Sequence, residues 1–217
     1  MKRFIYLGFI LISLAVLTSC KKDTEDPTPP QQHTLNLQVS NNPTETHLFG
    51  GVGIDESGPC PDLSACTWTK GGVRVDVRSI VQFDLGSIPS NATIVSAKLT
   101  LYSTPDPLEG NLVDANSGAD NSMYISKVAS AWDPVTANWT NQPLFSISNE
   151  VLVPHTDLPF FDLVDIDVKD LVSSMVSGPN YGFMIRLQHE DMYTCRQFCS
   201  SFNADVTRQP KLDVVYQ

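Results

Sequence analysis

Trp68 stands two residues before Lys70 and Tyr193 three residues before Arg196, so the chain twice sets a large aromatic ring near a cation. An aromatic face receives the C–H face of a sugar ring, and polar side chains beside it bond the hydroxyls. Trp68, Lys70, Tyr193 and Arg196 are therefore the candidate carbohydrate contacts. Trp68 has a competing role, packing beneath its own loop. Trp132 and Trp139 are assigned to the core, because large aromatics on a half-buried strand usually fill a sandwich. An acidic sugar would need counter-charges, and Arg74, Arg78, Lys98, Arg186 and Arg196 are those on offer.

The loop from residue 106 to 121 carries Asp106, Glu109, Asp114 and Asp120 among asparagines. Calcium takes six to eight oxygen ligands, which makes this loop the candidate structural calcium site, although it lacks the spacing of an EF-hand. Catalysis finds less to work with. His33, His47, His155 and His189 are each isolated, and no Gly-x-Ser-x-Gly, His-Glu-x-x-His or phosphate-cradling loop is present. The chain reads as a binding protein rather than an enzyme.

Five cysteines divide by position: Cys20 near the N-terminus, Cys60 and Cys66 in one loop, Cys195 and Cys199 near the end. The last four form an even set in an exported chain, which indicates disulfides. They allow three pairings, and sequence does not choose among them. Cys60 with Cys66 and Cys195 with Cys199 is the pairing favoured by proximity, but the second needs a turn, because four residues along a strand span about 13 Å. A four-cysteine zinc site is disfavoured by the five residues between Cys60 and Cys66.

The elements that must position these residues are mostly strands. Thr34–Val39 alternates; a long loop runs from Asn41 to Gly72; then Val75, Val77, Ser79, Val81, Phe83 and Leu85 share a face opposite Asp76, Arg78, Gln82 and Asp84. Gly86 to Ala92 turns the chain, and Val95, Ala97, Leu99 and Leu101 form a second face. These two strands should supply neighbouring inner layers of one sandwich. Further extended segments are expected at Met123–Val128, Val151–Val153, Phe160–Val168, Tyr181–Leu187 and Lys211–Tyr216. Between them Val168, Leu171, Val172, Met175 and Val176 recur at helical spacing, with Asp167 as N-cap and Gly178-Pro179 as the stop. Short strands with glycine- and proline-rich turns and one short helix specify an all-β, jelly-roll β-sandwich.

The N-terminus reads as an address. Met1-Lys2-Arg3 followed by an apolar run to Leu17 has the anatomy of a signal peptide, assigned to residues 1–19. Leu17-Thr18-Ser19-Cys20 resembles a bacterial lipobox, which implies acylation of Cys20 and a membrane partner held through several acyl chains. Residues 20–33 are then a charged, proline-rich tether, and the domain occupies 34–217. Lys21-Lys22-Asp23 resembles the surface-export signals of Bacteroidetes lipoproteins, which places the protein at the outer membrane or cell surface. Loss of Lys2 and Arg3 with the signal moves the formal charge from -10 to -12, which leaves no basic patch for nucleic acid.

Four blocks in order, "VRSIVQFDLGSIPSNATIVSAKLTLY", "AWDPVTANWTNQP", "IDVKDLVSSMVSGPNYGFMI" and "RQPKLDVVY", resemble the DNRLRE-domain family. The resemblance extends from about Thr34 to the C-terminus and implies a jelly-roll module of secreted or surface proteins. That family includes carbohydrate-binding modules, alginate binders among them, so a polysaccharide is the expected partner. A structural or adhesive surface role against the cell-surface matrix, without a small ligand, is the alternative.

Overall fold

The computed structural model describes residues 31–38, 45–58 and 62–217. The signal segment, Cys20, most of the tether and Cys60 lie outside the described residues. In chain order the elements are β1 (His33–Gln38), β2 (Glu45–Gly51), β3 (Ile54–Gly58), β4 (Asp62–Lys70), β5 (Val73–Val81), β6 (Ile94–Leu101) and β7 (Asn116–Ser117). They continue with β8 (Met123–Val128), β9 (Phe145–Val153), β10 (Leu163–Asp167), α1 (Lys169–Val176), β11 (Phe183–Leu187), β12 (Thr194–Cys199) and β13 (Lys211–Tyr216).

Two antiparallel sheets result. The smaller runs β1-β13-β6-β10, and the larger runs β7-β12-β4-β5-β11-β8-β9 with β2 and β3 attached at β5. The fold is the all-β sandwich with one short helix that alternation specifies. β5 and β6 supply adjoining inner layers of it, as expected, without pairing in one sheet. They lie in opposite sheets and meet through Val81, Phe83, Ala97, Leu99 and Leu101 in a single core, a burial worth roughly 25 cal/mol per Å² of apolar surface.

The larger sheet forks at β5. Residues Val75–Val81 pair with β2 along one edge, so the other edge is shared by β4, on Val73–Val77, and by β11, on Ser79–Val81. This fork lets β4 and β12 bury both faces. Leu63, Ala65 and Phe198 enter the main core, whereas Cys66 and Cys195 join a separate cluster with Val75, Val77, Phe49, Ile54 and Trp68.

Double burial also explains what alternation hid. The segment expected as a loop from Asn41 to Gly72 contains β2, β3 and β4, and the late loop around Arg196 is β12, a strand paired on both edges. β2, β4 and β12, buried on both faces over most of their length, carry no apolar-polar alternation to read, and β3 is a short, mostly exposed polar edge strand. In α1, Leu171, Val172, Met175 and Val176 are buried as the helical spacing requires. The N-cap is Val168 rather than Asp167. Asp167 acts from one position earlier, its Oδ1 accepting from the Lys169 N–H at 3.1 Å.

Candidate functional site

The site begins with a cross-strand pair. β4 and β12 run antiparallel with Cys66 opposite Cys195 and Thr67 opposite Thr194, and Cys66 and Cys195 form a disulfide with Cα atoms 4.1 Å apart. This overturns the expected pairing of each cysteine with its neighbour in sequence. Directly opposed residues of an antiparallel ladder are within disulfide reach, whereas Cys199 lies four positions along the same extended strand from Cys195. Cys199 is a buried free thiol against Asp62 in the ladder, and burial pushes its pKa up. Cys60 lies outside the described residues.

One pleat beyond the disulfide, on the same face, come Trp68 and Tyr193. The Tyr193 N–H donates to the Thr67 carbonyl at 2.9 Å, and the two rings meet edge to face with centroids 5.0 Å apart. Tyr193 holds a left-handed backbone, φ 67°, an uncommon conformation for a bulky residue. The residue is 55% exposed. Among the described residues neither the Trp68 indole N–H nor the Tyr193 hydroxyl has a hydrogen-bond partner. The pair is held by its backbone and its disulfide, with both polar tips left open.

Trp68 and Lys70 project from alternate positions of β4 into a cleft of about 450 Å³, within the size range of small-ligand sites. Its floor is Cys66, Val75 and Val77; its walls include Phe49 from β2, Glu56 from β3 and Leu108 and Leu112 from the loop after β6. Lys70 Nζ meets Glu56 Oε2 at 2.5 Å at the exposed rim. A hydrophobic floor, an aromatic edge and a few polar groups are what a sugar ring requires.

The loop that closes the cleft is the one expected to hold calcium. Among the described residues no three His, Cys, Asp or Glu side chains group as a metal site, so Asp106, Glu109, Asp114 and Asp120 are not brought together. Protein contacts order the loop instead. Glu109 pairs with buried His47 at 3.3 Å, the Leu108 N–H donates to Asp62 Oδ2 at 3.0 Å, and Glu109 and Gln197 exchange two hydrogen bonds. Gly110 permits the approach: its φ is +67°, and a Cβ there would sit 2.8 Å from Cys195 Sγ. Asp114 receives the Asn111 side chain, and the Ser122 side chain, together with the Ser122 N–H that donates to Asp120, holds the Asp120 pKa below the usual carboxylate range.

Of the four candidate sugar contacts, the structure brings together Trp68, Tyr193 and Lys70. Arg196 is not among them. It is fully buried, donating to the Pro154 carbonyl at 3.0 Å, with its guanidinium near the Phe198 ring. Burial lowers its pKa to about 10, which still leaves it protonated at neutral pH. Side chains alternate along a strand, so Arg196, three positions from Tyr193, faces the other way. Phe49 and Glu56 were missed because their strands were read as loop. The platform itself had a signal, Cys-Thr-Trp at 66–68 mirrored by Tyr-Thr-Cys at 193–195, which superpose when two strands run antiparallel.

A family model for carbohydrate-binding module family 96 matches residues 66–215. The chain belongs to that family. No curated protein matches it. The family comprises non-catalytic binding modules, and the matched range begins at Cys66, so it contains the disulfide, Trp68 and Tyr193. The module's cleft draws Phe49 and Glu56 from residues that precede the match. Its third and second tryptophans, Trp139 and Trp132, lie on the opposite side of the larger sheet in a cluster with Leu48, Ile80 and Met184.

Proposed function

We propose that this carbohydrate-binding module holds a polysaccharide in the cleft beside Trp68 and Tyr193, and does so as an outer-membrane lipoprotein anchored through Cys20. The observation that carries the binding reading is the aromatic pair itself. Two rings meeting at 5.0 Å, one pleat from a disulfide, keep their hydrogen-bonding tips free, and one of them, Trp68, lines an apolar cleft. A structure that needed these rings only for packing would bury or pair those tips. One sugar stacks on the exposed face, while Lys70 and Glu56 bond hydroxyls of its neighbour.

Affinity electrophoresis of the full chain against a set of soluble polysaccharides tests the proposal. Retention by at least one polymer, lost at least tenfold in Trp68→Ala with the melting temperature kept within a few degrees, supports it. Retention indifferent to Trp68→Ala and to Tyr193→Ala removes the cleft as the site. The anchor has its own test. Cys20→Ser should move the protein from the membrane fraction to the soluble one and abolish labelling by a fatty-acid analogue; unchanged fractionation and labelling would refute acylation at Cys20.

A further inference from the structure

Resting on the cleft as the binding site, we infer that it is built for an acetylated glycan: an acetyl group, held on the sugar as an ester or as an acetamide, seats its methyl on the apolar floor. The charge of the polymer is left open. Polar and apolar groups are segregated by depth. Cys66, Val75 and Val77 form the floor, each no more than 5% exposed, and Phe49, Leu108 and Leu112 stand around it. Lys70 and Glu56 sit at the rim, their side chains 57% and 53% exposed and engaged with each other. Glu109 is paired with buried His47. A bare hydroxyl lowered onto this floor would lose its water and find no donor or acceptor in exchange. A methyl group there gains by leaving water. An acetyl group meets both conditions, because its carbonyl accepts from a donor such as the Trp68 indole N–H, which has no partner among the described residues.

Leu112 is the second sign. Its backbone is left-handed, φ 58°, and the residue is 62% exposed. A branched side chain is strained in that conformation, which asparagine, aspartate and glycine adopt far more readily. So exposed a leucine adds little to the core. Four non-glycine residues among those described have positive φ, and Asn149 and Asp165 are of the tolerant types. The two bulky ones both belong to this corner: Tyr193 meets the Trp68 ring, and Leu112 lines the cleft. Strain and exposure combined in one apolar residue mark a ligand contact rather than a packing one. Leu108, 54% exposed, extends the same apolar wall.

The experiment measures retention of the full chain by affinity electrophoresis at high sodium chloride on matched polymer pairs. Acetylated glucomannan and acetylated alginate are each set against their alkali-deacetylated forms, and glycol chitin against glycol chitosan. Since one small apolar group in a hydrophobic pocket is worth about tenfold or more, at least one acetylated polymer should be held about tenfold more strongly than its partner. A preference in an ester pair assigns an O-acetyl ligand, and one in the amide pair an acetamido sugar; either supports the inference. Leu112→Asn, which relieves the left-handed strain, should leave the melting temperature no lower and erase the preference. Val77→Thr, which sets a hydroxyl on the floor at nearly the same shape, should weaken it. Equal retention within every pair, lost in Trp68→Ala, would overturn the acetyl assignment while leaving the cleft in place. A preference untouched by Leu112→Asn, Val77→Thr and Trp68→Ala would instead overturn the cleft as its seat. Retention by none of the acetylated polymers overturns the inference.

Discussion

Two aromatic clusters decorate the larger sheet, and they are built on opposite plans. On the face away from the core, Trp139 lies across Gly50, where a methyl group would overlap its indole, and covers the Arg78 guanidinium at 4.6 Å. Phe145 and Tyr124 flank Arg186 at 4.8 and 4.6 Å, and Trp132 donates its N–H to the Tyr181 carbonyl at 2.8 Å. Both arginines are in turn neutralised, by Glu190 and Glu150. In the cleft, Trp68 packs on valines and a disulfide, and Tyr193 meets its ring edge to face. Rings seated on paired arginines make a closed surface. Rings with idle tips above an apolar floor make one that awaits a ligand.

The sharpest way to break this contrast is to exchange the consequences. Trp139→Ala opens a cavity over Arg78 and Gly50 and removes a cation–π contact, so it should cost about 3–5 kcal/mol. Since 1 kcal/mol moves the melting temperature of a domain this size by about 2–4 °C, a fall on the order of 10 °C is expected by calorimetry, with polysaccharide retention of the folded protein intact. A binding loss without a stability loss would show that Trp139, not Trp68, is the sugar platform.

Removing the disulfide affects both sides of the comparison. Cys66 and Cys195 are 129 residues apart in sequence, and opening so long a loop should cost about 2–5 kcal/mol. The double variant Cys66→Ser with Cys195→Ser should also weaken polysaccharide retention, although neither cysteine touches sugar, because the register that opposes Trp68 to Tyr193 loses its pin. Non-reducing peptide mapping of the unaltered protein should recover the Cys66 and Cys195 peptides as one species. Full retention by the double variant would mean that the ladder alone positions the rings.

The contrast between clusters also explains what sequence could reveal. β5, β6, β8 and β13 were legible because one face is apolar and the other is not, and α1 because its period differs. Trp132 and Trp139 were expected to fill the core from a strand, but they lie part-buried in the loop between β8 and β9, packed on the outer face of the larger sheet. The cleft was legible only as composition: Trp68, Lys70 and Tyr193 were named, but nothing local reveals that strands 129 residues apart adjoin. Arg196 misled because a charged residue is rarely fully buried, and because reading β12 as a loop concealed which face it occupied. The acidic loop misled for a related reason: its anchors, His47, Asp62 and Gln197, come from three distant strands.

Those anchors supply the smallest and most specific test. Behind the cleft, Glu45 is buried and accepts from the Ser201 N–H at 3.0 Å, and burial outweighs that bond in raising its pKa; burial raises Asp62 likewise. A carboxyl whose folded pKa lies above its unfolded value destabilises the fold wherever both states are ionised. That cost is absent below the unfolded pKa, grows as pH climbs to the raised folded value, and is constant above it. Glu45→Gln keeps an oxygen for Ser201 and cannot ionise. Urea denaturation between pH 4 and pH 8 should therefore show the variant equal to the parent at the acid end and modestly more stable at neutral pH. The reverse order at neutral pH would mean that the ionised carboxylate stabilises this corner through His47. The buried acids near the cleft would then be a matched charge system like the arginines behind Trp139, and the difference between the two clusters would narrow to the apolar, disulfide-backed floor under Trp68.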